Sequence, residues 1–312
     1  MNFPDPAPGD EPADASDAPP PGVLVVDAND PTGAGGLAAD LLAVASVGAH
    51  AMPVLTGAWV RDTTGIFDFQ PLEEDAVVAQ ARTVLEDARA RTIRVGFAGS
   101  AEVIGALAEL ASDYADVPVI ASMPDLSWWD EAHIEAYQDA FRELLLPQVT
   151  LLVGNHGTLS RWLLPDWAHD RAPTPRELAR AAAEMGTPYV LVTGMGQADH
   201  RLGNVLASAQ STLGSESVAR FEVAFAGAGD TLASTVAALL ATGCDLVAAF
   251  QEALQYLDRS LQAAYRVGMG QLVPDRLFWA QTDDEEPGEP DDASDASSMT
   301  DLMESPFNDT RH

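Results

Sequence analysis

Short apolar runs alternate with helical patterns along most of the chain, and this alternation restricts the possible folds more than any other feature. Candidate strands occupy residues 23–27, 51–56, 93–97, 117–121, 150–153 and 189–193, and helical patterns occupy 37–47, 73–89, 101–112, 133–145, 175–184, 231–241 and 246–265. Strands that alternate with helices form mostly parallel sheets covered on both faces. The sequence therefore predicts an α/β fold with a doubly wound, mostly parallel sheet flanked by helices on both faces.

Two further strand-like segments, 202–207 and 217–221, follow without a helix between them. They predict antiparallel strands added at one edge of the sheet. In such sheets ligands bind beyond the carboxyl ends of the parallel strands, where the loops gather. We therefore expect the functional residues in those loops.

Residues 226–231 read Ala-Gly-Ala-Gly-Asp-Thr and lead into an apolar helical pattern. The backbone N–H groups of Gly227, Ala228 and Gly229 would have no intrahelical partner, and the helix dipole favours an anion there. Asp230 could accept the proton of an alcohol that attacks a phosphorus atom held by those amides. The segment indicates a phosphoryl-transfer site. The alternative is a simple turn in which Asp230 only caps the helix.

A second glycine-rich segment strengthens the functional interpretation. The apolar run 23–27 is followed by Ala-Asn-Asp-Pro-Thr-Gly-Ala-Gly-Gly at 28–36 and then by the helical pattern 37–47. The order is strand, glycine-rich turn, helix. One such turn thus stands near each end of the region expected to fold.

These segments resemble the hydroxymethylpyrimidine and phosphomethylpyrimidine kinases of the ribokinase superfamily. The resemblance is carried by Asn-Asp-Pro-Thr-Gly-Ala-Gly-Gly-Leu-Ala-Ala-Asp at 29–40, Thr-Thr-Gly-Ile at 63–66, the turn at 227–230, and Gly-Met-Gly-Gln-Leu-Val-Pro-Asp-Arg at 268–276. It extends over about residues 23–280. It implies a ribokinase-like fold, ATP-dependent phosphorylation of a hydroxymethyl group in thiamine biosynthesis, ATP and Mg²⁺ as cofactors, and a homodimer.

The resemblance also implies roles for the second turn. Asp230 would be the base for the substrate hydroxyl, and the amides of Gly227, Ala228 and Gly229 would hold the transferring phosphoryl group. The pyrimidine kinases usually have cysteine where Asp230 stands, whereas the sugar kinases of the superfamily have Asp.

The resemblance also implies substrate-binding residues in and after the first glycine-rich turn. It implies that Asn29, Asp30 and Gly35 contribute to substrate binding and that Asp40 holds the heterocycle through its carboxylate. A carboxylate can accept hydrogen bonds from an exocyclic amine and a ring N–H. The alternative for Asp40 is a solvent-facing position on the helix.

Arg61 and Trp59 depart from the family pattern. Arg61 aligns with a glutamine that family members use against the heterocycle, and Arg offers only donors where Gln offers both donors and an acceptor. Trp59 would add an indole to the same pocket. Together they suggest a substrate with an anionic or acceptor-rich group, unless a displaced loop points both side chains elsewhere.

On the nucleotide side, the resemblance implies binding by Asn155, Thr193 and Gly194. Thr158 stands where the family has a Glu that helps to organise magnesium, so this chain has one carboxylate fewer for Mg²⁺. The metal ligands themselves are left unassigned.

Trp128 and Trp129 stand in a loop, where they could form an aromatic lid, buried anchors or a subunit contact. The scattered His residues form no metal-binding or catalytic pattern. The lone Cys244 cannot form an intrachain disulfide and is expected to be a small buried side chain in the turn between two helices.

Composition excludes several classes of function. The formal net charge is −32, which argues against nucleic acid and anionic membranes as partners. All 16 basic residues are Arg, so no Schiff-base or P-loop lysine exists. The acidic segments 1–22 and 283–312 are expected to be disordered tails around a kinase domain at 23–282. Without a signal peptide or a membrane-spanning run, a cytoplasmic location is expected.

Three functions remain open from the sequence. The first is an ATP-dependent kinase for hydroxymethylpyrimidine or its monophosphate. The second is a catalytically weakened relative that binds a heterocycle or nucleotide as a sensor or subunit, which Thr158 and Arg61 favour. The third is a pyridoxal, nucleoside or sugar kinase on the same scaffold, which Asp230 favours.

Overall fold

The computed structural model of the protein describes residues 19–280. Nine strands form one sheet: β1 (Gly22–Asn29), β2 (His50–Arg61), β3 (Ile66–Pro71), β4 (Ala90–Val95), β5 (Val119–Ser122), β6 (Leu151–Asn155), β7 (Tyr189–Gln197), β8 (Arg201–Ser208) and β9 (Thr212–Ala219). Their order is β3-β2-β1-β4-β5-β6-β7-β8-β9. The strands β2, β1, β4, β5, β6 and β7 are parallel, whereas β3, β8 and β9 add antiparallel edges. This confirms the predicted doubly wound, mostly parallel sheet.

Within residues 19–280, eight α-helices accompany the sheet: α1 (Gly36–Ser46), α2 (Glu74–Asp87), α3 (Ala101–Asp113), α4 (Glu131–Ala140), α5 (His156–Leu163), α6 (Pro175–Glu184), α7 (Ala228–Thr242) and α8 (Leu246–Gln262). Helix α4 continues into a π-helical turn at Phe141–Leu145. None of the helices in residues 19–280 is long and apolar enough to cross a membrane.

The sheet is buried on both faces because its central strands carry apolar side chains on both sides. In β1, Val23 and Val25 belong to a core that includes apolar residues of α1, α7 and α8. Leu24 and Val26 belong to a second core that includes residues of α2 to α6. Successive side chains of a strand point to opposite faces, so a continuous apolar run is required for this position.

The order in which successive strands are added to the sheet reverses between β1 and β4. From β1 the chain passes outward to β2, and it returns to pair β4 on the other side of β1. The carboxyl ends of β1 and β4 therefore flank a crevice at a topological switch point, where ligands of such sheets bind. Helices α1 and α7 begin at this edge.

The structure differs from the sequence prediction at three places. Strand β3 was not predicted, because Ile66–Pro71 is short, mostly exposed and ends in proline. Helix α5 was not predicted either, because it begins His-Gly-Thr, and Gly and Thr are weak helix formers. The segment predicted as a strand at 217–221 contains only the last part of β9.

The predicted tails lie almost wholly outside the described residues, which exclude 1–18 and 281–312. Of the first predicted tail, Gly22 is already the first residue of β1. Cys244 lies in the turn between α7 and α8, as predicted, but it is only partly buried against the core.

Candidate active site

A cavity of about 470 Å³ opens at the carboxyl ends of the parallel strands. Its wall contains Trp59 and Arg61 from β2, Asn155 from β6, Thr193 from β7, and residues 227–230 at the start of α7. The structure thus brings together most of the predicted site residues. The predicted residues that do not line this cavity are Asn29, Asp30, Gly35, Asp40 and Gly194.

A second, more apolar cavity of about 260 Å³ lies beside the first. Its walls come from β8, β9 and α8, with side chains such as Leu202, Val218 and Leu257. Gly194 lines this cavity. The two cavities share Thr193, Phe225, Ala228, Gly229 and Leu232, so they meet at the first turn of α7.

The two glycine-rich turns touch each other at Gly227. Gly227 precedes α7 with φ 76°, in the left-handed region that favours glycine. A Cβ atom at this position would lie 1.7 Å from the carbonyl oxygen of Ala34, so no larger residue fits without movement. No side chain caps α7, which leaves its first N–H groups directed at the junction of the two cavities.

Asp230 lies in the first turn of α7 with a quarter of its side chain exposed. Its Oδ2 atom accepts a hydrogen bond of 3.0 Å from the backbone N–H of Gly36, the first residue of α1. Its Oδ1 atom lies 3.4 Å from Nη2 of Arg94. The residue that precedes α7 is Gly227, so Asp230 does not cap its own helix. The capping alternative is therefore wrong.

Asp40 is buried behind the cavity. Its side chain is fully inaccessible, Ser234 Oγ donates to its Oδ1 over 2.5 Å, and Arg94 Nη2 lies 3.8 Å away. Burial raises the pKa of Asp40 to about 6, although the nearby Arg94 acts in the opposite direction. The solvent-facing alternative is wrong, and the carboxylate contacts α7 and Arg94 instead of the cavity.

Arg94 of β4 is fully buried between three carboxylates, a role that the sequence analysis missed. Its Nη2 atom lies 3.4 Å from Asp230, 3.8 Å from Asp40 and 4.0 Å from Asp27. Its Nε donates to Ser234, and Nη1 donates to the carbonyl of Val95. The available signal was an arginine inside an apolar strand pattern.

Asp27, near the carboxyl end of β1, was also missed as a site residue. It lines the larger cavity and is 1% exposed. Burial, with the negative charges of Asp40 and Asp230, raises the pKa of Asp27 well above its ordinary value. The signal in the sequence was an acidic residue that ends a buried strand.

The first glycine-rich turn is held by Asp30 and Arg61. The buried Asp30 carboxylate accepts hydrogen bonds from the backbone N–H groups of Thr32 and Gly35, each 2.8 Å long. It also pairs with Arg61 Nη1 at 3.1 Å. Asp30 therefore stabilises the turn, and Arg61 extends from that ion pair to the cavity wall. Asn29 is exposed at the end of β1.

Arg276 ties the two turns together and is a third residue that the sequence analysis missed. Its Nε donates to Thr231 Oγ1 over 2.9 Å, and its Nη atoms donate to the carbonyls of Gly33, Ala34 and Gly227. Burial lowers the pKa of Arg276. Its position in the 268–276 segment was noted, but its partners lie far away in the sequence.

Asn155, which was predicted to bind the nucleotide, and Thr158 form hydrogen bonds with each other beside the larger cavity. Asn155 precedes α5, where its Oδ1 accepts from the N–H of Thr158 and its Nδ2 donates to the Thr158 hydroxyl at 3.0 Å. Thr158 is buried and does not line the cavity. In this arrangement the amide of Asn155 shapes the start of α5.

The tryptophan pair stacks on itself with ring centroids 5.2 Å apart. Trp128 and Trp129 each contact the edge or face of Phe97, at 5.9 and 5.6 Å, and both are half-buried. Phe97 lines the larger cavity, whereas the pair does not. The pair therefore supports the cavity wall through Phe97.

The sheet topology, the two adjoining cavities and the helix N-terminus between them define a kinase of the ribokinase-like fold. The family model for phosphomethylpyrimidine kinase matches residues 30–275. The chain belongs to the phosphomethylpyrimidine kinase family, which confirms the predicted family.

Curated relatives and solved structures agree with this assignment. The hydroxymethylpyrimidine/phosphomethylpyrimidine kinase of Mycobacterium tuberculosis is 29% identical over 271 residues, which cover 83% of this chain and 94% of that protein. The enzyme of the same name from Streptomyces coelicolor is 29% identical over 269 residues, or 84% and 96% of the two chains.

Two solved structures show the same fold. The pyridoxal kinase from Staphylococcus aureus, in complex with AMP-PCP and pyridoxal, has a TM-score of 0.74 at 18% identity, with 85% of this chain and 96% of that chain covered. The phosphomethylpyrimidine kinase from Clostridium difficile has a TM-score of 0.62 at 19% identity, with 76% and 98% covered.

Proposed function

We propose that the protein transfers the γ-phosphoryl group of ATP to the hydroxymethyl group of a small heterocycle. Hydroxymethylpyrimidine or its monophosphate, precursors in thiamine biosynthesis, is the leading acceptor. The proposal rests on the first turn of α7, which contains Asp230 and lies where the two cavities meet. One cavity can hold the nucleotide and the other the acceptor.

The smaller cavity suits the base of ATP because its lining is mostly apolar. From there the phosphate chain would reach the amides of Gly227, Ala228 and Gly229, where the helix N-terminus favours anionic oxygens. Thr193 and Gly194 line this side, as proposed for nucleotide binding.

The acceptor would occupy the larger cavity with its hydroxymethyl group near Asp230. As the hydroxyl oxygen bonds to the γ-phosphorus, the bond from that phosphorus to the bridging oxygen of ADP breaks. The hydroxyl proton passes to the Asp230 carboxylate, and the amides at 227–229 stabilise the charge on the transferring group. Asp40 and Arg94 would hold Asp230 and α7 in position.

Mg²⁺ is proposed as the counter-ion of ATP, with its ligands unassigned. A group of three carboxylates in residues 19–280, Asp27, Asp40 and Asp230, has oxygens within 4.8 Å of one another. It surrounds the Arg94 guanidinium and is largely buried, so it does not fit a hydrated Mg²⁺ ion. No step is assigned to the metal.

One observation favours an acceptor other than hydroxymethylpyrimidine or its monophosphate. Trp59 and Arg61 both line the larger cavity, and the family resemblance implies a glutamine at the position of Arg61. A pyridoxal, nucleoside or sugar acceptor is therefore the second candidate. The sensor alternative is favoured by Arg94, which engages the carboxylate proposed as the base.

An acceptor panel separates these possibilities. The protein would be incubated with Mg-ATP and hydroxymethylpyrimidine, its monophosphate, pyridoxal or ribose, and phosphorylated products would be measured by ³¹P NMR. We expect the highest kcat/KM with a pyrimidine. Preference for pyridoxal or ribose would overturn the substrate assignment, and ATP binding without product from any acceptor would support the sensor.

The remaining proposals concern partners and location. The resemblance supports a homodimer, and the net charge of −32 supports the absence of nucleic-acid and anionic-membrane partners. A cytoplasmic location also remains a proposal. Light scattering coupled to size-exclusion chromatography tests the dimer, with the monomer mass as the contradicting result.

A further inference from the structure

Two buried carboxyl oxygens close to the first turn of α7 have no hydrogen-bond donor among the described residues. They are Oδ2 of Asp27 and Oδ2 of Asp40. The other oxygen of each group has donors. Asp27 Oδ1 accepts from the backbone N–H groups of Ala28 and Phe97, and Asp40 Oδ1 accepts from Ser234. Buried polar atoms nearly always have a partner, so the two remaining oxygens require one.

The two groups can satisfy each other, but only with a proton between them. Asp27 and Asp40 form a side-chain hydrogen bond, and one carboxyl oxygen of each lies within 4.8 Å of the other. Two ionised carboxylates are both acceptors, whereas a protonated carboxyl has one O–H donor. One proton shared between Oδ2 of Asp27 and Oδ2 of Asp40 therefore gives both oxygens a partner.

Burial and charge favour the same proton. Burial raises the pKa of Asp40 to about 6, and burial with the negative charges of Asp40 and Asp230 raises the pKa of Asp27 well above its ordinary value. At neutral pH the pair then holds one proton and one negative charge. The other charged or titratable groups that face it are Arg94 on β4, Asp230 on α7, Tyr137 on α4 and Arg276 after α8.

Arg94 connects this pair to the proposed base. Its Nη2 atom lies 4.0 Å from Asp27 and 3.8 Å from Asp40. The same atom lies 3.4 Å from Asp230 Oδ1. The negative charge of the pair therefore balances the guanidinium. Without that charge Arg94 would face Asp230 alone and would favour its ionised form over its protonated form, so Asp230 would accept a proton less readily.

We propose that Asp27 and Asp40 share one proton and act together as positioning residues for the base Asp230. The negative charge of the pair balances Arg94, so that Asp230 can take up the hydroxyl proton during phosphoryl transfer. Before the transfer, the pair, Arg94 and Asp230 together carry one net negative charge. After proton uptake they carry none, and the shared proton stays in the pair. The inference rests on the proposed function, since it takes Asp230 to be the base.

Infrared spectroscopy tests the shared proton without any substrate. The carbonyl stretch of a protonated carboxyl is separate from the bands of ionised carboxylates, and exposed acids are ionised at about pH 7.5. We expect one such band in the full-length wild type. It should be absent from Asp27→Asn and from Asp40→Asn, because in each variant the new amide donates to the remaining carboxylate and replaces the proton. Asp116→Asn, which alters an exposed carboxyl, should keep the band.

Kinetics tests the effect on the base. Each single variant keeps one negative charge and one donor in the pair, whereas Asp27→Asn/Asp40→Asn keeps no charge. With hydroxymethylpyrimidine and Mg-ATP at about pH 7.5, we expect kcat to fall by about threefold in each single variant and by about a hundredfold in the double variant. In the wild type, kcat should decrease as the pH falls through about 6, where Asp40 takes up a second proton and the pair loses its charge. The double variant should lack this step.

A wild type without the infrared band, or a band that persists in Asp40→Asn, overturns the shared proton. A double variant whose loss in kcat equals the product of the two single losses overturns the link to Asp230. Circular dichroism would confirm that each variant is folded.

If the double variant does not fold, the wild type alone decides the link. The step in kcat near pH 6 should coincide with the growth of a second protonated-carboxyl band on acidification, and different midpoints overturn the link. If the wild type phosphorylates no acceptor, the proposed function fails, whereas the infrared spectra still decide whether Asp27 and Asp40 share a proton.

Discussion

Asp40→Asn provides a quantitative test of the buried charge cluster. The Asp40 side chain is fully buried, accepts from Ser234 and lies 3.8 Å from Arg94. Burial raises its pKa from the ordinary 3.8 to about 6. At 1.36 kcal/mol for each unit of pKa, this shift corresponds to about 3 kcal/mol between the charged and neutral forms.

The sign follows from proton binding. Because the folded-state pKa of Asp40 is the higher one, the folded protein binds more protons than the unfolded chain between about pH 4 and pH 6. The stabilisation is complete below the unfolded pKa and is lost as the pH rises through about 6. Asp40→Asn cannot titrate. The wild type therefore loses stability relative to Asp40→Asn as the pH rises. The difference between the free energies of unfolding, variant minus wild type, should increase by up to about 3 kcal/mol from pH 4 to pH 7.

Urea unfolding followed by circular dichroism at constant ionic strength measures this difference at each pH. Asp116→Asn, which alters an exposed carboxyl outside the buried cluster, is the control variant. A flat or decreasing difference for Asp40→Asn would refute the reasoning, because it would mean that burial does not raise the pKa of Asp40.

Three further substitutions test the site. Gly227→Ala forces a Cβ against the Ala34 carbonyl and should reduce kcat at least tenfold, measured by steady-state kinetics; wild-type activity would contradict this. Arg276→Met removes the bonds between the turns and should destabilise by about 2 kcal/mol or more in urea unfolding. Arg94→Met leaves buried carboxylates uncompensated and should cost about 3–5 kcal/mol, with a larger loss at higher pH. A urea midpoint equal to that of the wild type would contradict the prediction for Arg276→Met or for Arg94→Met.

The fold could be predicted because its signal is local. The apolar run of β1 and the helical pattern of α1 are each visible within about a dozen residues, and alternation of such elements specifies a parallel sheet. β3 gave no such signal, because it is mostly exposed and depends on its pairing with β2. Its stability comes from a neighbour that a local pattern does not contain.

The site was predicted where small residues and a lone acid mark a helix N-terminus, as at Gly227 and Asp230. The buried charges behind it could not be placed in the same way. Arg94 on β4 meets Ser234 on α7, 140 positions later, and Asp40 meets the same serine across 194 positions. Burial of a charged side chain depends on such distant partners, so composition and spacing do not reveal it.

Asp230→Asn tests the central claim most directly, since it removes the proposed base and keeps the shape of the side chain. Kinetics with hydroxymethylpyrimidine and Mg-ATP, together with calorimetry of nucleotide binding, separate chemistry from binding. We predict that kcat falls by about 10²- to 10⁴-fold while the Kd for ATP stays within about twofold. A kcat within about threefold of the wild type would contradict the assignment of Asp230 as the base that accepts the hydroxyl proton.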